Sequence, residues 1–228
     1  MPNWCTTGIT FYSKNRELVE KFYDKVVEIM NRKSTVKNDF GQGWLGDYAN
    51  TFFPEIGWDK IECRGVVEDI DDYVFEIEGY IYFSITTSTA WGPKMGLWRE
   101  IIDRFYKGIK IAYLSEECGL EYYNKWDETG LFYPDIMYVD CCYPDENGDE
   151  QYIDEHNFDT IPDLVDWLNE HIPQFRHTMT DSLDDLASET QNGLEKLDDG
   201  EERFFFSAGW YTETPVKDYD FIKEGGKV

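Results

Sequence analysis

Histidines, paired cysteines, basic residues and long apolar runs are all scarce in this chain, and each shortage excludes something. Only 3 histidines occur among 228 residues, His156, His171 and His177, with no i, i+4 pair. There is no C-x-x-C either, so the ligand spacing of a zinc site is missing, and no metal or other cofactor is expected. Five cysteines, at 5, 63, 118, 141 and 142, are an odd number without framework spacing. They read as reduced cytosolic thiols. No apolar run approaches the length of a membrane span, so no membrane contact is expected. Residues 1–5 show neither the basic region nor the apolar stretch of a signal peptide, and the expected location is the cytoplasm. Lys and Arg number 21 against 47 Asp and Glu, a net charge of −26. Duplex nucleic acid needs cationic partners for its phosphates, so direct duplex binding is not expected.

What is present is an aromatic, foldable chain. Aromatic residues make up 17% of the composition, with 8 Trp, 16 Tyr and 15 Phe, which no disordered acidic tail would carry. The charge is unevenly spread. Residues 1–114 hold 14 Lys or Arg against 17 Asp or Glu, whereas residues 115–228 hold 7 against 30. An ordinary domain with an acidic face or appendage has this asymmetry.

The apolar periods suggest the order of elements. Residues 6–12 alternate as a first strand, and Ser13 or Asn15 can cap a helix with Leu18, Phe22, Val26, Ile29 and Met30 on one face. That helix should end near Arg32 and Lys33. Residues 34–60 have no clean period and read as a long loop or insertion. Two strands follow, the first over 61–70 and continuing extended through 73–78, the second over 80–87, then a helix over 95–106 and a strand at 109–114. This β-α-β-β-α-β order is the split βαβ pattern of a ferredoxin-like antiparallel sandwich. Beyond it, 120–124 and 135–143 look extended, an Asn147-Gly148 turn leads to a returning strand, helices follow near 161–172 and 183–197, and a last strand occupies 203–211. The expected class is α+β: a ferredoxin-like domain over residues 1–130 and an acidic α+β C-terminal extension over 131–228, either separate or packed on the same core.

Three landmarks carry a family likeness: Met1-Pro2-Asn3-Trp4-Cys5, Ser88-Thr89-Ala90-Trp91-Gly92-Pro93 and Ser115-Glu116-Glu117-Cys118-Gly119. Together they resemble the YubB ferredoxin-like family of plasmid and phage proteins over roughly residues 1–130. Gly92 departs from the family pattern, and the second half holds no family landmark. The resemblance implies a mobile-element origin and supplies no catalytic residues.

Motifs for chemistry are weak. Gly41-Gln42-Gly43-Trp44-Leu45-Gly46 is a literal G-x-G-x-x-G, but a poor strand precedes it and a poor helix follows, so it reads as a loop. Asp145-x-Asn147-x-Asp149 resembles the start of a calcium loop but lacks Gly at the sixth position and Glu at the twelfth, so it reads as a turn. Glu116 and Glu117 beside Cys118 would make that thiol a worse nucleophile.

The functional expectation rests on charge. At one charge per ~1.7 Å of duplex axis, the −23 of the second half matches roughly 39 Å of DNA. The chain is therefore expected to be a non-enzymatic interaction protein, and the YubB resemblance implies that it is of phage or plasmid type. Its partner would be a basic nucleic-acid-binding host protein, such as a nuclease, restriction enzyme or CRISPR effector, met in the host cytoplasm. The candidate partner-binding acids are Asp145, Glu146, Asp149, Glu150, Asp181, Asp184, Asp185, Glu195, Asp198, Asp199, Glu201 and Glu202. Trp44, Phe52 and Trp58 are candidate anchors within the aromatic segment 40–58, whose other reading is a loop folded back over the sheet. The alternative function is a small enzyme or ligand-binding domain with a merely solubilising acidic surface.

Overall fold

Strand β1 (Trp4–Ser13) organises the first unit of the chain, pairing antiparallel on both sides, with β4 (Tyr80–Ala90) and with β5 (Lys110–Glu117). The computed structural model describes residues 3–34, 36–117, 122–145, 147–153, 157–172, 182–198 and 203–223. Within them the chain is mixed α/β, with five α-helices and two mostly antiparallel sheets. No helix among the described residues is long and apolar enough to cross a membrane.

The register of β1 fixes the two faces of its sheet. Cys5, Thr7, Ile9 and Phe11 share one face by the period of two. Helices α1 (Arg16–Asn31) and α3 (Met95–Phe105) pack there, with the Phe11 ring 5.0 Å from Phe22 and 5.4 Å from Trp98. Asn15 caps α1, its side chain accepting from the Leu18 amide at 3.2 Å. The other face is covered by residues 127–133: Phe132 lies 4.9 Å from Tyr12, and the Tyr133 hydroxyl is 3.2 Å from Thr10 Oγ1. Gly8 makes this possible, since a Cβ there would stand 3.1 Å from the Tyr133 hydroxyl.

Outside β4 lie β2 (Gly65–Ile70) and β3 (Phe75–Ile77). Beyond β5 come β6 (Tyr122–Trp126) and then β11 (Thr212–Glu213), the last pair being parallel. The sheet order is β11-β6-β5-β1-β4-β2.

Residues 45–52 overturn the loop expected for 34–60. They form helix α2 (Leu45–Phe52), followed by a 3-10 turn at Trp58–Lys60. Two helical turns are too short to show a period, and tertiary burial overrides the Gly, Asn and Asp content. Leu45, Tyr48, Ala49 and Phe52 are buried, and Arg32 reaches over to the Asp47 carbonyl oxygen and Thr51 Oγ1. Trp44 is 3% exposed and Phe52 8%, so neither is an exposed anchor. The segment is folded back onto the first unit's core.

A second unit runs from Pro134 to Tyr211, and the residues from Thr212 rejoin the first. This corrects the division expected at residue 130, which left everything after it in one extension. Residues 212–223 have little apolar pattern of their own, and long-range bonds such as Tyr113 Oη to the Thr214 carbonyl, 2.6 Å, fix their place. The second unit contains β7 (Met137–Pro144), β8 (Glu150–Tyr152), β9 (Asn157–Phe158), α4 (Ile161–His171), α5 (Leu183–Glu195) and β10 (Phe205–Trp210). β7 is its central strand, and Met137, Val139, Cys141, Leu164, Leu168, Leu186, Leu194 and Phe206 belong to a core separate from the first.

Candidate functional site

Two regions concentrate polar chemistry. The first lies where β1 begins and β4 ends, at a polar stretch of the helix-covered face of the sheet. Cys5 Sγ and Thr7 Oγ1 each lie 2.9 Å from Ser115 Oγ. Thr89 Oγ1 donates to the Gly92 carbonyl at 2.9 Å. Next to this floor, three tyrosines form a directed chain. Tyr113 donates to the Thr214 carbonyl, so Tyr219 donates to Tyr113 at 2.7 Å and Tyr122 donates to Tyr219 at 2.8 Å. Burial pushes all three hydroxyls above their ordinary range. Burial likewise raises the Cys5 thiol, which leaves it protonated and a poor nucleophile.

The rim of this region is built by the turn after β4. Trp91 has φ +67°, which only a few per cent of non-glycine residues adopt. Its amide donates to the Asn3 carbonyl at 3.0 Å, which ties the turn to the start of β1. Its side chain is 55% exposed. Two concavities open beside it. One, of about 540 Å³, is lined by Trp91, Lys94, Tyr122, Tyr219 and Asp220 among others. The other, of about 460 Å³, has aromatic walls from Phe40, Trp44, Trp58 and Trp91, and carries Arg64, Lys94, Lys223 and Glu62. Lys94 pairs with Glu62 at 3.2 Å, Lys223 Nζ lies 5.8 Å from the centre of the Trp58 ring, and Arg64 is exposed. In the sequence Trp91 belongs to a landmark segment, whereas the three cations, at positions 64, 94 and 223, share no local pattern. The landmark segments meet here, with Trp4 opposite Ala90 and Cys5 bonded to Ser115. Cys118 and Gly119 lie outside the described residues.

The second region is the acidic unit. Residues 134–211 hold 21 Asp or Glu against 3 Lys or Arg. Asp145 is a turn residue: its carboxylate accepts from the amides of Asn147, 2.7 Å, and Asp149, 2.9 Å, and these bonds lower its pKa. Asp149 and Glu150 are exposed beside it, whereas Glu146 lies outside the described residues. Asp184 and Asp185 sit in the first turn of α5 behind the Ser182 cap. Glu195 ends the same helix, accepting from Gln191 at 3.0 Å. The axis of α5 separates Asp184 from Glu195 by about 16 Å, so these acids form no single cluster. Asp198 departs from the expectation of a surface charge. Its side chain is 5% exposed and accepts from the amides of Arg203 and Phe204, the two residues before β10. Asp181, Asp199, Glu201 and Glu202 lie outside the described residues.

An acidic stripe that sequence reading missed runs along α4. Asp163, Asp166 and Glu170 are exposed at i, i+3 and i+7, opposite the buried Leu164, Val165 and Leu168. With Asp159 they line a concavity of about 460 Å³ beside Trp167, whose ring stacks on His171 at 4.3 Å. The spacing is legible in the sequence, since these acids alternate with Leu164, Val165 and Leu168 at helical period. Among the described residues no group of three or more His, Cys, Asp or Glu is placed to hold a metal ion. No protein-family model, curated protein or solved structure matches this chain.

Proposed function

We propose that this chain is a non-enzymatic interaction protein of phage or plasmid type, which blocks a basic nucleic-acid-binding host protein in the cytoplasm by presenting its acidic unit to the nucleic-acid groove. The observation that carries this reading is the partition of charge. Of the net −26, residues 134–211 account for −18, and they fold around a core of their own. Self-repulsion on that scale disfavours a compact state, so its retention in a folded unit supports a role for the charge. The exposed carboxylates of α4 recur about every 5 Å of helix axis, of the same order as the ~3.4 Å between phosphates along one DNA strand. The order β2-β4-β1-β5, all antiparallel, supports assigning the first unit to the ferredoxin-like class. The mobile-element origin rests on the likeness to the YubB family.

The test is affinity capture of host proteins on the full chain at low and high salt. Basic nucleic-acid-binding proteins should be retained at low salt and released at high salt. A variant with Asp163→Lys, Asp166→Lys and Glu170→Lys should lose them while keeping its fold. Reversal of three exposed acids in the first unit, Glu17, Glu55 and Glu68, should matter less, because steering by charge depends on where the charge sits. Equal retention by both variants sinks the reading.

A further inference from the structure

We infer that the aromatic cleft beside the start of α3 is a binding site for a nucleoside monophosphate, with the base stacked on Trp91 and the phosphate held by Lys94, Arg64 and Lys223. This goes beyond the acidic unit and rests on separate observations.

The first is local charge. In a chain with 47 acids and 21 bases, this cleft gathers three cations against one carboxylate, Glu62. Lys94 is engaged with that carboxylate at 3.2 Å, which leaves the cleft with a surplus of positive charge from Arg64 and Lys223. Helix α3 begins at the same rim with no side-chain cap and no acidic residue in its first turn, so its positive end adds to the field there.

The second is the state of Trp91. A large aromatic residue in the left-handed region is uphill in energy and persists only where its surroundings impose it. Here the bond from its amide to Asn3, and that from Thr89 to Gly92, impose it. Packing does not account for the ring, which is 55% exposed. The wall across the cleft is fixed, since the Trp44 indole is buried and meets Trp58 edge to face at 4.9 Å. The result is an exposed ring, a rigid aromatic wall and cations within one cavity of about 460 Å³, a volume in the range of small-molecule sites.

These features together select a planar, apolar-faced ligand with a compact anion, which is the chemistry of a nucleotide. Bases of every kind present a π-face, so stacking tolerates base identity. The net charge of −26 disfavours a longer polyphosphate strand, whose further charges would meet carboxylates beyond the cleft.

The test titrates AMP, adenosine, ribose 5-phosphate and a ten-nucleotide oligo-dT into the full chain, read by tryptophan fluorescence and calorimetry. AMP should bind saturably and quench fluorescence, and adenosine and ribose 5-phosphate should each bind about tenfold more weakly or worse. Trp91→Gly should weaken AMP by about tenfold, the scale of one lost stacking contact. Its melting temperature should not fall, because glycine relieves the positive φ. Trp91→Asn, which also tolerates that backbone, is the second variant. Arg64→Gln with Lys223→Gln should weaken AMP and leave adenosine unchanged. Absence of saturable AMP binding, or wild-type affinity in both Trp91 variants, overturns the proposal. Tighter binding of oligo-dT than of AMP also overturns it, in favour of a single-strand site.

Discussion

Gly96, in the first turn of α3, lies directly against the backbone of Asp220: a Cβ at this glycine would stand 2.1 Å from the Asp220 carbonyl oxygen. The helix is thereby locked to the segment that follows β11. Arg99 on the same helix donates to the carbonyls of Lys217, 2.8 Å, and Tyr219, 3.0 Å. Phe221 then packs 4.8 Å from Phe53. Residues 212–223 are consequently part of the first unit's core.

Gly96→Ala should destabilise the chain by about 1–3 kcal/mol, because the obstructing atoms are backbone and a methyl group must force the two segments apart. Urea unfolding followed by circular dichroism measures it. A change within error would show that the terminal segment can withdraw at little cost.

Trp44→Ala should cost about 3–5 kcal/mol, the range for emptying a large aromatic site in a packed core. An exposed anchor at this position would instead show a change within about 0.5 kcal/mol. Chemical denaturation of the variant separates the two.

Asp198→Ala should lower stability by about 1–3 kcal/mol, since two loop amides lose their acceptor and sit beside a buried space. Glu189→Gln, at an exposed position in the middle of α5, should stay within about 0.5 kcal/mol. Thermal melts of the two variants side by side test whether these acids have the structural and solvated roles assigned.

The hydroxyl chain of Tyr122, Tyr219 and Tyr113 predicts a loss of stability in alkali. Burial raises all three folded values above the ordinary 10.0. The folded state therefore holds these protons more tightly than the unfolded chain. The resulting stabilisation is complete below pH 10 and is lost as pH rises through the raised folded values. Tyrosinate absorbance should consequently include a cooperative step that coincides with unfolding. Smooth titration of every tyrosine near pH 10 without unfolding would contradict the burial.

The parts of this architecture that repeat a local period were readable from the sequence. Leu18, Phe22, Val26 and Ile29 mark one face of α1, Asn15 its cap, and the alternation after Tyr80 marks β4. Helix α2 was not readable, because eight residues with Gly46, Asp47 and Asn50 are held by burial under Trp44 and by Arg32 from another element. The place of β11 was equally hidden, since a two-residue strand has no pattern and owes its position to Asn124 and Lys125. Among the site residues, composition located the acidic unit, but it could not separate an amide-bonded carboxylate such as Asp198 from a solvated one such as Asp163. The cleft at Trp91 unites positions from 40 to 223, and such a gathering exists only after folding.

The pairing of β6 with β11 also sets an order of events during synthesis. Thr212 lies beside Asn124 in the sheet, yet the whole of residues 134–211 is translated between them. At about 5–20 residues per second, those 78 residues delay the closing strand by roughly 4–16 s. Throughout that interval the nascent first unit has neither Tyr219 to complete the tyrosine chain nor Phe221 to cover Phe53. Its core is finished last, after an acidic module of separate core has already left the ribosome.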